Sequence, residues 1–156
     1  MTNRPPRMVT INYTVTMTVL SIRFKRPGAY ERLKRGAARR AESISSAGER
    51  LIDEGLRMEA HPGIVFRDGP SGRRAGLAAG PDVWEVVGLL RGLRGSFEER
   101  VAAAAARLGL TEGQVRATSR YYAEFTDEID AEITYNDDIA DRELSAWERE
   151  RRLLSG

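Results

Sequence analysis

No cysteine occurs in the 156 residues. That absence excludes disulfide staples and thiolate metal sites and fits a reducing compartment. Histidine occurs once, at His61, so a histidine-built zinc centre or acid–base pair lacks its second member. No apolar run approaches the roughly 18 residues of a membrane-spanning helix, and the first residues lack the apolar centre of a signal peptide. A cytoplasmic chain with no membrane role is expected. No nucleophile stands beside a base and no glycine-rich phosphate loop is present, so neither an enzyme nor a cofactor is expected. Asp137, Asp138 and Asp141 lie close together, but the run lacks the glycine and closing bidentate carboxylate of a calcium loop. A solvated acidic helix start accounts for it.

Hydrophobic residues make up 41% of the chain and charged residues 31%, enough to bury a core. The net charge of +2 is unevenly spread. Residues 1–60 carry 12 Lys+Arg against 6 Asp+Glu, residues 61–133 carry 9 against 11, and residues 134–156 carry 4 against 6. A basic head on a mildly acidic body suits a polyanion at the head.

Residues 1–16 contain Pro5-Pro6 and "TINYTV". They fit a basic arm, an extension of the next strand, or a leader ahead of a start at Met8 or Met17. "TVLSIRF", residues 18–24, alternates like a strand, with Leu20, Ile22 and Phe24 in one row and Val19, Ser21 and Arg23 in the other. It is either an edge strand on a larger core or half of a ribbon. Two helices follow. In "PGAYERLKRGAARRA", Tyr30, Leu33, Ala37 and Ala41 fall at helical spacing, with Pro27 ahead of the first turn. In "SSAGERLIDEGLRMEA", Ala47, Leu51, Gly55 and Met58 share a face, and Ser43 suits the N-cap. Gly36, Gly48 and Gly55 each cost roughly 1 kcal/mol against Ala in a helix, so packing against a partner is expected to stabilise both.

His61-Pro62-Gly63 closes this unit, and His61 reads as a turn residue. "IVFRDGPSGRRAGLAAG" predicts two strands around "DGPSG". "PDVWEVVGLLRG" predicts a helix with Val83, Val87 and Leu90 inward, and "SFEERVAAAAARLGL" a second one with a Ser96/Glu99 capping box. "TEGQVRATSRYYAEFTDEIDAEI" predicts a third, opened by Thr111 and striped by Val115, Thr118, Tyr122, Phe125, Ile129 and Ile133. The charged tail, residues 134–156, holds Ala140, Leu144, Trp147 and Leu154 in one row.

A strand followed by two helices is the ribbon-helix-helix pattern, and residues 17–60 fit it. A lone strand cannot satisfy its backbone, so two chains pair strands and bury one row, here Leu20, Ile22 and Phe24. In register the strand resembles Arc- and CopG-type repressors. That resemblance implies a homodimer whose ribbon enters the DNA major groove, with Val19, Ser21 and Arg23 at the bases. Lys25 and Arg26 would add phosphate contacts, as would the start of the second helix at Ser43, Ile44 and Ser45. The family usually has Gly or Asn in the turn before that helix. This chain has Ala41-Glu42, so a strained or differently shaped turn is expected.

"HPGI", "GRRAGLAAG", "PDVWEVVGLL" and above all "LTEGQVRA…YYAEFTDEID" resemble, across residues 61–133, a small bacterial winged helix-turn-helix family catalogued as domain of unknown function four hundred and thirty-three. The resemblance implies a VapB-like antitoxin encoded beside a PIN-like ribonuclease toxin. Relatives often place a proline soon after the basic strand residues, whereas Gly72-Arg73-Arg74 here runs into Ala75-Gly76-Leu77. Arg116 and Arg120 are offset by Glu112 and Glu124, so a structural or dimerising role for this unit is favoured over DNA contact. In such antitoxins the segment after the head wraps the toxin. Leu144, Trp147, Arg149, Arg151 and Arg152 are the candidate toxin-binding residues, the arginines facing the toxin's acidic metal site. The alternative is that Trp147 docks on its own second unit.

The expected fold is mainly α with short β. A ribbon-helix-helix dimerisation and DNA-binding head (17–60) precedes a winged helix-turn-helix-like domain (61–133) and a toxin-binding helix (134–156). The expected function is that of an antitoxin that neutralises a PIN-like toxin and represses its own operon at operator DNA. The alternative is a stand-alone ribbon-helix-helix regulator with an oligomerisation domain.

Overall fold

A computed structural model of the chain describes residues 19–70 and 72–154. The expected N-terminal arm (1–16), the candidate starts Met8 and Met17, and Thr18 of the expected strand lie outside the described residues. Helix dominates at 68%, and among the described residues a single antiparallel strand pair forms the sheet. Among the described residues no helix is long and apolar enough to cross a membrane.

The first two helices are α1 (Ala29–Arg39) and α2 (Ile44–Ala60). Ser43 caps α2, its Oγ accepting the Ser46 N–H at 3.0 Å. The turn between them ends α1 with paired backbone bonds, Ala41 N–H to Ala38 O (3.2 Å) and Glu42 N–H to Ala37 O (3.0 Å). That pattern needs a left-handed residue at Ala41, and Ala41 has φ 53°. The expected strain at this turn is therefore present, because a Cβ occupies a position that glycine normally fills.

The strands β1 (Ile64–Gly69) and β2 (Gly72–Leu77) pair from Ile64↔Leu77 to Gly69↔Gly72. Arg67 faces Arg74 across the ladder, and like charges directly opposed would repel. Asp82, 2% exposed, resolves this by accepting from both: Arg67 Nε at 2.7 Å and Arg74 Nε. Gly76 makes room for this. A Cβ there would lie 2.7–2.9 Å from the Arg67 guanidinium.

Then come α3 (Val83–Gly92), α4 (Phe97–Leu108) and α5 (Glu112–Glu124). The Ser96/Glu99 capping box opens α4 as expected, and Thr111/Gln114 forms another at α5. The core lies among these helices and the hairpin: Ile64, Ala75, Leu77, Val83, Val86, Val87, Leu90, Val101, Ala104, Val115, Tyr121 and Ile129. The head contributes little of its own, since its buried apolar residues are Ala37 and Ala47.

The helix expected to run unbroken through residues 111–133 is interrupted. It stops at Phe125 (φ −118°, ψ 44°), and α6 (Thr126–Leu154) begins beyond it. No proline or glycine causes the break. Phe125 instead turns into a stack, with its ring 4.6 Å from Tyr121, 5.8 Å from His61 and 4.1 Å from the Arg57 guanidinium. Thr126 Oγ1 donates to the Tyr122 carbonyl at 2.8 Å, a local bond that competes with helical continuation. Conversely, α6 crosses the expected boundary at 133/134 without a break.

Candidate nucleic-acid interface and partner helix

Residues 19–25, expected as a strand, form no regular secondary structure and have no strand partner among the described residues, since a lone strand has nothing to pair its backbone with. Exposure falls along them, from Val19 at 88% and Leu20 at 72% to Ile22 at 53% and Phe24 at 43%. Phe24 is held by the edge of Tyr30 at 5.8 Å. Beside this segment, α1 and α2 leave an open groove of about 820 Å³. Its floor is apolar: Ile22, Phe24, Ala29, Leu33, Ala37, Ala47, Leu51 and Ile52. Gly36 and Gly48 also line it, and a Cβ on either would meet nothing within 4 Å. Arg32, Arg39, Arg40, Arg50 and Arg73 also line it, together with Asp68. Two members of the even-numbered row, Ile22 and Phe24, thus lie in the groove, while Leu20 stands outside it. Ser21, Arg23, Lys25 and Arg26 are exposed.

Leu51, Ile52, Leu56 and Met58 of α2 are between 39% and 61% exposed. Each such side chain gains about 1.5–3 kcal/mol on full burial. An unpaired segment and two helices with only two buried alanines fall far short of a self-sufficient core. At the start of α2, Ser43 Oγ takes the Ser46 N–H, and helix geometry leaves the N–H groups of Ile44 and Ser45 without intrahelical acceptors.

The head is tied to the body by ion pairs. Glu54, 5% exposed on α2, accepts from Arg73 of β2 at 2.5 and 2.7 Å and from Arg50 at 3.4 Å. Burial opposes its ionisation, but Arg73 and Arg50 outweigh that and hold the carboxyl below its ordinary range. Arg57 Nη1 donates to Tyr121 Oη (3.0 Å) and Glu128 Oε2 (2.7 Å). Asp53 lies 2.9 Å from Arg57 Nε but off the N–H direction, so the two form an ion pair without a hydrogen bond. Burial pushes the Tyr121 phenol up, against the pull of Arg57. The sequence pattern did not single out Arg57, Glu54 or Tyr121. A long-range role for an arginine in a helix has no local periodicity to reveal it.

His61 caps α2, its Nε2 2.9 Å from Glu124 and its ring against Tyr121. Arg116 is engaged by Glu98 and Glu112. On α6, Leu144 and Trp147 are each 54% exposed, so the second unit does not cover Trp147. Arg151 lies 5.3 Å from the Trp147 ring. The five tail residues do not share one surface. At about 100° per residue, Leu144, Trp147 and Arg151 align, whereas Arg149 points roughly 160° from Trp147 and Arg152 about 140°.

No family model, curated protein or solved structure matches this chain.

Proposed function

We propose that the chain is a dimeric DNA-binding antitoxin that represses its own operon and restrains a PIN-like ribonuclease. One observation carries the reading: an unpaired segment whose sequence alternates like a strand borders, through Ile22 and Phe24, an open apolar groove lined also by five arginines and Asp68. A second copy supplies both missing parts, pairing its strand antiparallel and filling the groove with its own Ile22 and Phe24. The ribbon then presents Val19, Ser21 and Arg23 to base edges, with Lys25, Arg26 and the Ser43–Ser45 helix start at phosphates. The hairpin and helices of residues 61–133, with α4 and α5 joined by a turn at Gly109, support a winged helix-turn-helix-like body. The exposed Leu144–Trp147–Arg151 row supports a partner on α6, with Arg149 and Arg152 on other faces of the same helix.

The test has two arms. Arg23→Ala lowers affinity for the upstream operator by about 1–3 kcal/mol and relaxes one base preference, while Lys25→Ala weakens all duplexes alike and flattens the salt dependence. Equal losses on operator and random DNA for both variants would sink the ribbon assignment. For the second arm, deleting residues 134–156 abolishes protection against the co-expressed neighbouring ribonuclease. Survival of those cells removes the role given to α6.

A further inference from the structure

Arg40 is the first residue past α1 and stands three positions before Ser43, the N-cap of α2. Consecutive Cα atoms are about 3.8 Å apart, so the Arg40 Cα lies within roughly 11 Å of that of Ser43, whose helix start leaves the Ile44 and Ser45 N–H groups without intrahelical acceptors. Its guanidinium is engaged elsewhere. Asp68 of β1 takes both terminal nitrogens in a fork, Nη1 to Oδ1 at 2.7 Å and Nη2 to Oδ2. A phosphate offers the same planar fork the same two oxygens.

The pair is open to competition. Its side chains are 33% and 58% exposed, and ion pairs this exposed contribute little to stability. Hydrogen bonding to Arg40 keeps the Asp68 carboxyl below its ordinary range, so it remains an anion. Losing Arg40 does not strand it either, because Arg73 stands 3.6 Å away. Glu42, the acid nearest the helix start, is held mainly by Arg50 at 3.1 Å and lies 3.9 Å from Arg40 Nε, a looser contact than the Asp68 fork. An incoming phosphate at this turn therefore meets one cation that must be released.

We propose that Arg40 is a further DNA-phosphate contact, held in reserve by Asp68, which occupies its guanidinium until DNA displaces it. The inference rests on the DNA-binding reading of the head and adds a control to it. Asp68 belongs to the hairpin of the second unit, so the body sets how much charge the head offers.

The experiment measures binding of the full chain to its upstream duplex and to a random duplex across several salt concentrations. Asp68→Asn is expected to tighten both by about three- to tenfold and to steepen the salt dependence by about one ion. The gain disappears when Arg40→Ala is added, the signature of a coupled pair. Glu59→Gln, the same charge change at an exposed site on α2, gives a smaller gain that survives Arg40→Ala. A gain for Asp68→Asn that persists without Arg40, or no gain at all, overturns the proposal. If Arg23→Ala and Lys25→Ala weaken binding while Asp68→Asn is silent, this inference alone fails. If the unaltered chain binds neither duplex, the DNA reading fails with it.

Discussion

Ala41 occupies the left-handed corner of the α1–α2 turn, where a Cβ crowds the backbone. Ala41→Gly relieves that strain but loosens the unfolded chain, so a net gain of about 0.5–1 kcal/mol is expected in chemical denaturation. Glu132 of α6 works in the opposite direction. Burial, reinforced by Glu128 and Asp82, pushes its carboxyl up to about 7 against the pull of Arg74. Its Oε2 is buried without a hydrogen-bond partner. The folded protein therefore holds the proton more tightly than the unfolded chain. The stabilisation is complete below the ordinary carboxyl value of 4.5 and is lost as pH rises from there through about 7. Screening at a half-buried site limits the effect to about 1–2 kcal/mol. Melting temperatures from pH 4.5 to 8 should fall for the unaltered chain relative to Glu132→Gln, and parallel profiles would refute the assignment. Neither residue's behaviour could be quantified from the pattern alone. "AE" before Ser43 marks the turn as unusual, whereas nothing in the local sequence sets Glu132 apart from the other carboxylates of "EFTDEIDAEI".

At the scale of elements, start signals were legible and tertiary stops were not. Ser43, Ser96 and Thr111 mark helix starts because capping is a local bond between a side chain and an N–H three residues on. The break at Phe125 carries no local signal, for the apolar stripe passes straight through it. At the break sits Arg57, 68 positions earlier, which lies over the Phe125 ring and bonds Tyr121 on one side of it and Glu128 on the other. Arg57→Met keeps the bulk but removes the donors. It leaves the buried Tyr121 hydroxyl with only its long bond to Glu128 Oε1 (3.3 Å) and removes the cation paired with that carboxylate, and it is expected to cost about 1–3 kcal/mol in thermal or chemical denaturation. A loss below about 0.5 kcal/mol would mean that the stack does not depend on Arg57. Trp147→Ala, on the uncovered part of α6, should change stability by no more than about 0.5 kcal/mol. Any larger loss would show that the tryptophan packs within its own chain.

At the scale of the molecule, the body has a core and the head does not. Leu20, Ile22, Phe24, Leu51, Ile52 and Leu56 are all more than two-fifths exposed in one chain, an arrangement water penalises. If two copies share this face, the melting temperature should rise with protein concentration. Ile22→Asp should then give a monomer by sedimentation, with the head unfolded and the body intact. A concentration-independent melt with a monomeric unaltered chain would rule out the shared face. The sequence by itself determined the predominance of helix, the positions of the hairpin and the capped helix starts, and the basic bias of the head, because periodicity, capping and charge act over a few residues. Only the tertiary structure decided that Arg57 packs over the α5–α6 break, that Arg67 and Arg74 share Asp82, and that Asp68 holds Arg40. Each depends on side chains brought together across 8 to 68 positions of chain, where no local spacing records the contact.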